Sequence, residues 1–488
     1  VVTDESLLAV ALGVASISAG GLACHALAPF LHLRFSVLTG AELVVLCGVF
    51  LLAVWLVSIL PVLAGMSATL FLNTDTDAVP VRFSLSNVRF MLIAQYSMVM
   101  FIVIVGFGIS RQMRLIQTLQ VGGMEEDILG MQEQPDTVQE RYGTLKAELL
   151  TYPEIESVTS AMQLPGEAIR DGISVWREGE TPEDKRSLSL LVVGEDFFPF
   201  FRMQPVAGTA FKHSSRTYSE EKDLLMDFFF AGKTPGASIS EEYIINRKAA
   251  KVLGFASPED AVGQLLFLDG LGGPVGYINR GIIAGVADDF NYTTTFEETK
   301  PQIILQRKFF QHCILVRFSP GRKHEGLATF NRVWASVNPD GPANGAFLQD
   351  VYATVYHNEL NAQALVHIFA LLSLTVANLG LIIILAFIIR RKTREIAIRK
   401  VNGATSMDIL RLLNSRFFLW TGISFVIAVP AAYVVMIRWL QHFAYRTDLD
   451  WQIFALAGLS VFMLSALAVS IPSWRASRRN LVQALKMD

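Results

Sequence analysis

The chain has few of the residues that build a soluble enzyme or a bridged extracellular module. Only 17% of its 488 residues are charged, against roughly a quarter in an ordinary soluble domain. It has three cysteines, Cys24, Cys47 and Cys313. That number excludes a disulfide framework, and no Cys-x-x-Cys pair or clustered ligand set marks a metal site. No Gly-x-x-x-x-Gly-Lys-Ser/Thr segment occurs, and Gly270–Gly276 carries no lysine. Without that phosphate cradle the chain is not expected to hydrolyse ATP itself. A net charge of −3 gives no sign of a nucleic-acid partner. The sequence opens Val1-Val2-Thr3, with no signal peptide ahead of its first apolar run, so a fragment of a longer protein is expected.

What the chain has is apolar length: 52% of it is hydrophobic. Six segments, about 6–29, 42–66, 91–110, 364–389, 417–437 and 452–473, reach the roughly 18–25 residues that cross a bilayer. Their interiors are almost free of ionisable groups. His25 and His367 lie near span ends, Glu42 starts a span, and Gln95 and Asn378 are merely polar. The histidines read as interfacial or packing residues, and Asn378 as an interhelical hydrogen bond. Intramembrane charge is the usual mark of an ion or proton pathway. Its scarcity argues against a proton-coupled carrier and places the energy source elsewhere.

Six cations, Arg390, Arg391, Lys392, Arg394, Arg399 and Lys400, stand between two of the apolar runs. Such a cluster fixes a cytoplasmic loop, here 390–416, and the basic tail 474–488 agrees with it. Counting back puts 111–363 outside, 67–90 inside and 30–41 outside. The basic stretch continues through Met407, Leu410, Leu413 and Phe417 at helical spacing, an amphipathic elbow suited to a membrane surface or to a docking partner.

The excursion 111–363 is too long for a loop and must fold. Ile104, Ile109, Met113, Ile116 and Leu119 continue the third span as a helix, and further helices are expected at 135–151, 247–253, 323–337 and 351–364. The last should run straight into the fourth span. Alternating segments at 187–193, 242–245, 277–285, 302–305 and 313–318 read as strands. Patches 213–240 and 269–275 read as exposed loops. The fold class is therefore a polytopic α-helical membrane protein with an inserted extracytoplasmic α+β domain. Asp288-Asp289 and His312-Cys313 are weighed as catalytic pairs and set aside. Adjacent residues at a strand end point apart, and His312-Cys313 suits strand packing. The run Val49–Pro61 echoes Val461–Pro472, so the first two spans look like a copy of the last two.

Glu395-Ile396-Ala397-Ile398-Arg399-Lys400-Val401-Asn402-Gly403-Ala404 resembles the "E-I-x-I-R-K-x-x-G-A" signature of FtsX/MacB-type ABC transporter permeases. Val193–Phe198 with Pro205–Phe211, Asn246–Gly254 with Ala261–Gln264, and Ile283–Tyr292 resemble passages of the MacB-like periplasmic core domain. Thr209 and Arg247 replace residues usual in that pattern, and 213–240 has no counterpart in it. The resemblance covers about 85–485 and is nearest the double-length type. It makes 1–66 the last two transmembrane helices of a preceding permease unit, 67–90 a cytoplasmic linker and 91–110 a transmembrane helix. It makes 111–363 the extracytoplasmic domain and 364–473 three transmembrane helices. The resemblance also implies a multi-pass protein of the bacterial cytoplasmic (inner) membrane, with its large domain periplasmic. It further implies a cytoplasmic ABC ATPase subunit that holds ATP and Mg, leaving this chain without a cofactor. Other implied partners are membrane lipid and a second permease unit or periplasmic protein. In that reading Arg394, Glu395, Ile396, Ile398, Arg399, Lys400, Gly403 and Ala404 form the ATPase-coupling surface, and the chain serves export, lipoprotein handling or mechanotransmission. The alternative is a membrane receptor or scaffold with a ligand-sensing outer domain.

Overall fold

The structure, a computed structural model, describes residues 44–49, 51–53, 85–122, 127–132, 134–169, 171–211, 216–231, 241–269, 280–339 and 341–477. The expected span at 6–29, most of that at 42–66, the linker up to 84 and the tail from 478 lie outside them. So do Gly270–Gly276 and most of the first copy of the internal echo. Two compact units are formed. Of the described residues, one comprises those up to Arg114, His357–His442 and those from Arg446 to Ser477. The other comprises Leu115–Tyr356 and Phe443–Tyr445.

Four long helices dominate the first unit: α1 (Leu85–Leu119), α2 (His357–Val401), α3 (Ser406–Leu440) and α4 (Trp451–Ser477). Each contains a stretch long and apolar enough to cross a membrane: Arg89–Leu119, His357–Ala386, Met407–Leu440 and Trp451–Trp474. Apolar side chains give little preference for one helix neighbour over another in lipid, so close contact and polar pairs select the partners. Tyr96 on α1 donates to Asn378 Oδ1 on α2 at 2.9 Å. Ser110 Oγ and His367 Nε2 are 2.8 Å apart on the same two helices. Ser424 on α3 reaches the Ile93 carbonyl at 3.0 Å. Asn414 joins α3 to α4 through Ser470 and Ser473 at 3.2 and 3.0 Å. His367 and Asn378 are thus packing residues. A Cβ on Gly108 would sit 2.7 Å from Met436 Cε, the mobile end of that side chain.

The inter-span stretch 390–416 is largely helical, because α2 runs through to Val401 and α3 starts at Ser406. Glu395 to Lys400 are good helix formers with an i,i+4 ion pair, so nothing stops the helix before Gly403. The helix expected to run from 351 into the fourth span instead ends at Val355, and α2 begins at His357. Between them the Tyr356 hydroxyl accepts from Thr295 N at 2.7 Å and from Gln120 Nε2 at 2.5 Å. That anchored side chain holds Tyr356 away from helical geometry, at φ −100° and ψ 21°.

The second unit is built on strands β1 (Ile128–Met131), β2 (Ile155–Ala161), β3 (Gly172–Arg177), β4 (Arg186–Val193), β5 (Ala207–Gly208) and β6 (Glu241–Asn246). They continue with β7 (Leu265–Asp269), β8 (Arg280–Ala287), β9 (Gln302–Gln306), β10 (Cys313–Phe318) and β11 (Gly345–Phe347). The order β4-β3-β7-β8-β6-β9 closes on itself, because β9 pairs back onto β4 in parallel register. Alternation does the rest. Ile173, Val175, Leu188, Leu190, Val192, Tyr243, Ile245, Leu266, Leu268, Ile283, Ile303 and Leu305 share one buried cluster drawn from all six strands. The intervening Leu191, Val193, Ile244 and Ile304 face a second cluster with Phe197, Phe198, Phe290 and Tyr292. A smaller antiparallel sheet, β11-β1-β10-β2, attaches to this ring where Ala161 of β2 lies opposite Val193 of β4. Its core includes Leu145 and Leu149 of helix Tyr142–Leu149, and Phe330, Val333 and Trp334 of helix Lys323–Val337.

Most expected strands and helices recur with ends shifted by a residue or two, although β8 runs from 280 to 287 and residues 277–279 lie outside the described set. The helix expected over 135–151 is broken at Arg141 into Asp136–Glu140 and Tyr142–Leu149. The reading of 213–240 as loop is wrong for Tyr218–Ala231, which is helical. Thr217 and Glu220 cap its start reciprocally. Leu225 is buried, and Glu221 accepts from the backbone N–H groups of Lys308 and Phe309. Burial holds the Glu221 carboxyl above the usual carboxylate range.

Candidate docking elbow between the second and third long helices

The residues singled out in the sequence gather at the reversal between α2 and α3. Glu395, Ile396, Ile398, Arg399 and Lys400 occupy the last two turns of α2. Arg399 Nη2 meets Glu395 Oε1 at 2.9 Å, with both side chains about half exposed. Such a pair contributes a few tenths of a kcal/mol, and the cations at this helix end also complement its dipole.

The helix stops for a local reason. Gly403 adopts φ +89°, which L side chains rarely adopt. Its N–H bonds to the Lys400 carbonyl at 3.0 Å and the Ala404 N–H to the Arg399 carbonyl at 3.0 Å, the Schellman pattern. The next helix starts at once. Thr405 Oγ1 donates to Asp408 Oδ2 at 2.7 Å, Thr405 N donates to the same oxygen at 3.0 Å, and Asp408 N returns to Thr405 Oγ1 at 3.3 Å. This reciprocal cap satisfies the first free N–H groups of α3. Two caps back to back reverse the chain in four residues.

The elbow has an inside and an outside. Ile396 and Ile409 are buried together, with Ile388 and Ile389 packed against them. Ile398, Val401 and Met407 are exposed by 51%, 68% and 59%. Arg399 and Arg411 are exposed beside them, and Lys400 is half-buried. The predicted surface is therefore divided. Ile398 and Arg399 are exposed and Lys400 is half-buried, whereas Ile396 packs against Ile409 and Gly403 and Ala404 shape the turn. Arg394 lies in α2, and its side chain, like those of Arg390 to Lys392, is outside the described residues. The expected stripe Met407, Leu410, Leu413, Phe417 is not one face: Met407 is exposed, Phe417 is buried, and Leu413 is outside the described side chains. Val401, Ile409 and the Thr405–Asp408 cap were missed. The last of these was legible as Thr-x-x-Asp ahead of an apolar run.

The other weighed positions have structural partners. Asp288 Oδ1 accepts from Arg247 Nε at 2.9 Å, and Asp289 Oδ1 from Lys248 N at 3.0 Å, at the start of helix Arg247–Val252. His312 lies 3.2 Å from Gln139 Nε2 through its Nδ1, and burial lowers its pKa. Cys313 Sγ points to the Met162 carbonyl. Among the described residues no group of three or more His, Cys, Asp and Glu is arranged to hold a metal ion.

The family model described as FtsX-like permease C-terminal matches residues 367–481. The match begins within α2, crosses the elbow and extends past the end of α4. A search of curated proteins finds no match. Residues 367–481 thus carry an FtsX-like permease C-terminal domain.

Proposed function

We propose that this chain is the permease subunit of an ATP-driven ABC transporter in a bacterial cytoplasmic membrane, and that a separate cytoplasmic ABC ATPase seats on the elbow. The observation that carries the reading is the exposed trio Ile398, Val401 and Met407 beside Arg399, on a turn made stiff by two interlocking caps. Exposed apolar groups cost nothing in a docked state and favour one, because burying them against a partner contributes about 25 cal/mol per Å². The rim cations add orientation more than affinity. ATP and Mg belong to the partner. The α+β unit lies on the opposite side of the membrane and resembles the MacB-like core domain, its motif residues Phe197, Phe198 and Tyr292 serving as core. There it handles an exported molecule, a lipoprotein or a cell-envelope enzyme by mechanical movement. Membrane lipid surrounds α1–α4, and a second permease unit or a periplasmic protein completes the assembly. The receptor or scaffold reading has no observation in its favour equal to the elbow. Purification of the full chain with its ATPase, wild type against Glu395→Ala with Arg399→Ala, tests the proposal. Unchanged association in the double variant overturns the assignment of those two residues to the contact.

A further inference from the structure

An asparagine followed by glycine is open to attack by its own backbone, because a residue without a Cβ does not hinder the approach to the side-chain amide. The chain has two such pairs, Asn344-Gly345 and Asn402-Gly403, and all four residues are exposed. Their glycine N–H groups are placed differently. Gly403 N donates to the Lys400 carbonyl at 3.0 Å and Asn402 N to the Ile398 carbonyl at 3.1 Å, so the helix end holds that pair. Gly345 instead opens β11, the end strand of its sheet. On the other side of β1, Phe318 N donates to the Asp127 carbonyl at 2.8 Å, in line with the register Ile128↔Arg317. Backbone groups alternate sides along an antiparallel strand. Leu129 and Met131 therefore bond towards β10, and Gly130 towards β11. In the register Gly130↔Ala346 and Met131↔Gly345, Ala346 is the bonded partner. The Gly345 N–H is turned to the open edge.

We propose that Asn344 is a modification site at which the chain deamidates itself. Gly345 N attacks Asn344 Cγ. Its proton passes through water to the side-chain nitrogen, which departs as ammonia and leaves a cyclic imide. The imide then takes up one water. Opening at Cγ gives aspartate, whereas opening at the main-chain carbonyl routes the backbone through Cγ as isoaspartate, one methylene longer. No oxidant, cofactor or enzyme enters the balance. β11 has only three residues, and its far end is fixed. Phe347 packs against the core of the small sheet, and Leu348, fully buried, starts helix Leu348–Val355. The extra backbone length must be taken up at Gly345 and Ala346, so the pairing of Ala346 with Gly130 gives way. The small sheet thus carries a slow timer at its end strand, whose product uncovers the edge of β1.

Peptide mapping by mass spectrometry tests it, on the full chain in lipid nanodiscs aged in mildly alkaline heavy-oxygen water. Asn344 should deamidate about fivefold or more faster than Asn402, whose reaction must first break the Gly403 hydrogen bond. The product should carry a heavy oxygen and be partly isoaspartate. An Asn344 that stays amide, or that reacts no faster than Asn402, overturns the site. Hydrogen exchange tests the consequence. The Ala346 amide should exchange about fivefold faster in the isoaspartate fraction of the aged chain than in fresh protein. Asn344→Asp brings the charge without the methylene and should stay within about twofold of wild type. Equal acceleration in both forms would mean that charge alone loosens β11 and would overturn the register argument. Unchanged Ala346 exchange in the isoaspartate fraction overturns the timer.

Discussion

Ile396 and Ile409, seven and six residues from Gly403 on opposite sides of the turn, form one buried contact at 7% and 1% exposure. That contact decides which residues of the elbow are structural. Replacing Ile396 by Ala should destabilise the helical unit by about 2 kcal/mol, the low end for a buried isoleucine. Ile398→Ala, at an exposed site, should change stability by no more than about 0.5 kcal/mol. Thermal unfolding of the two variants in the same detergent checks the contrast.

Gly403 should tolerate side chains poorly for torsional reasons alone. A Cβ there meets nothing within 4 Å, so no clash contributes. Gly403→Ala should cost about 1 kcal/mol, and Gly403→Asn less, because asparagine visits the left-handed region more readily. Unfolding midpoints of the two variants would separate strain from crowding.

Tyr96→Phe removes the donor to Asn378 and leaves the ring in place. Interhelical hydrogen bonds in membranes average about 0.6 kcal/mol, so a loss of that order is expected. Asn378→Leu should match it if the pair acts only as a packing bond. Unfolding free energies of both variants and of the double variant, which should show non-additivity, measure this.

The four long helices were legible because uninterrupted apolar runs have few alternatives. Their ends were less so, since a hydropathy run stops where charge begins while the helix continues until Gly403. The closed strand ring was not legible. It depends on β4 meeting β9 more than a hundred residues away, and no local pattern encodes that pairing. The helix Tyr218–Ala231 was missed although Thr217-Tyr218-Ser219-Glu220 carries a capping signal, because serine, glycine and proline on both sides suggested loop. At the elbow the residue types pointed to the right turn. Which isoleucine faces inward came only from the geometry.

Acid should weaken the α+β unit through Glu180. Arg186 first, then the Arg177 N–H and guanidinium, hold its carboxyl at about 2 against an ordinary 4.5. A carboxyl depressed in the folded state contributes stability above its unfolded value and loses it as pH falls towards the folded one. The loss should therefore develop between about pH 4.5 and pH 2. Glu180→Gln should be less stable at neutral pH and should lose less over that interval. Chemical denaturation at a series of pH values would show the flattened dependence.

The central claim is that the elbow's exposed face is where an ATPase drives this chain. The direct measurement is nucleotide hydrolysis by the ABC ATPase that copurifies with the full chain, compared between wild type and Ile398→Asp with Val401→Asp. Both positions are exposed, so the helices should keep their thermal stability while the bound ATPase is lost and its stimulation by the chain disappears. An ATPase retained and stimulated at the wild-type level by the double variant would contradict the account.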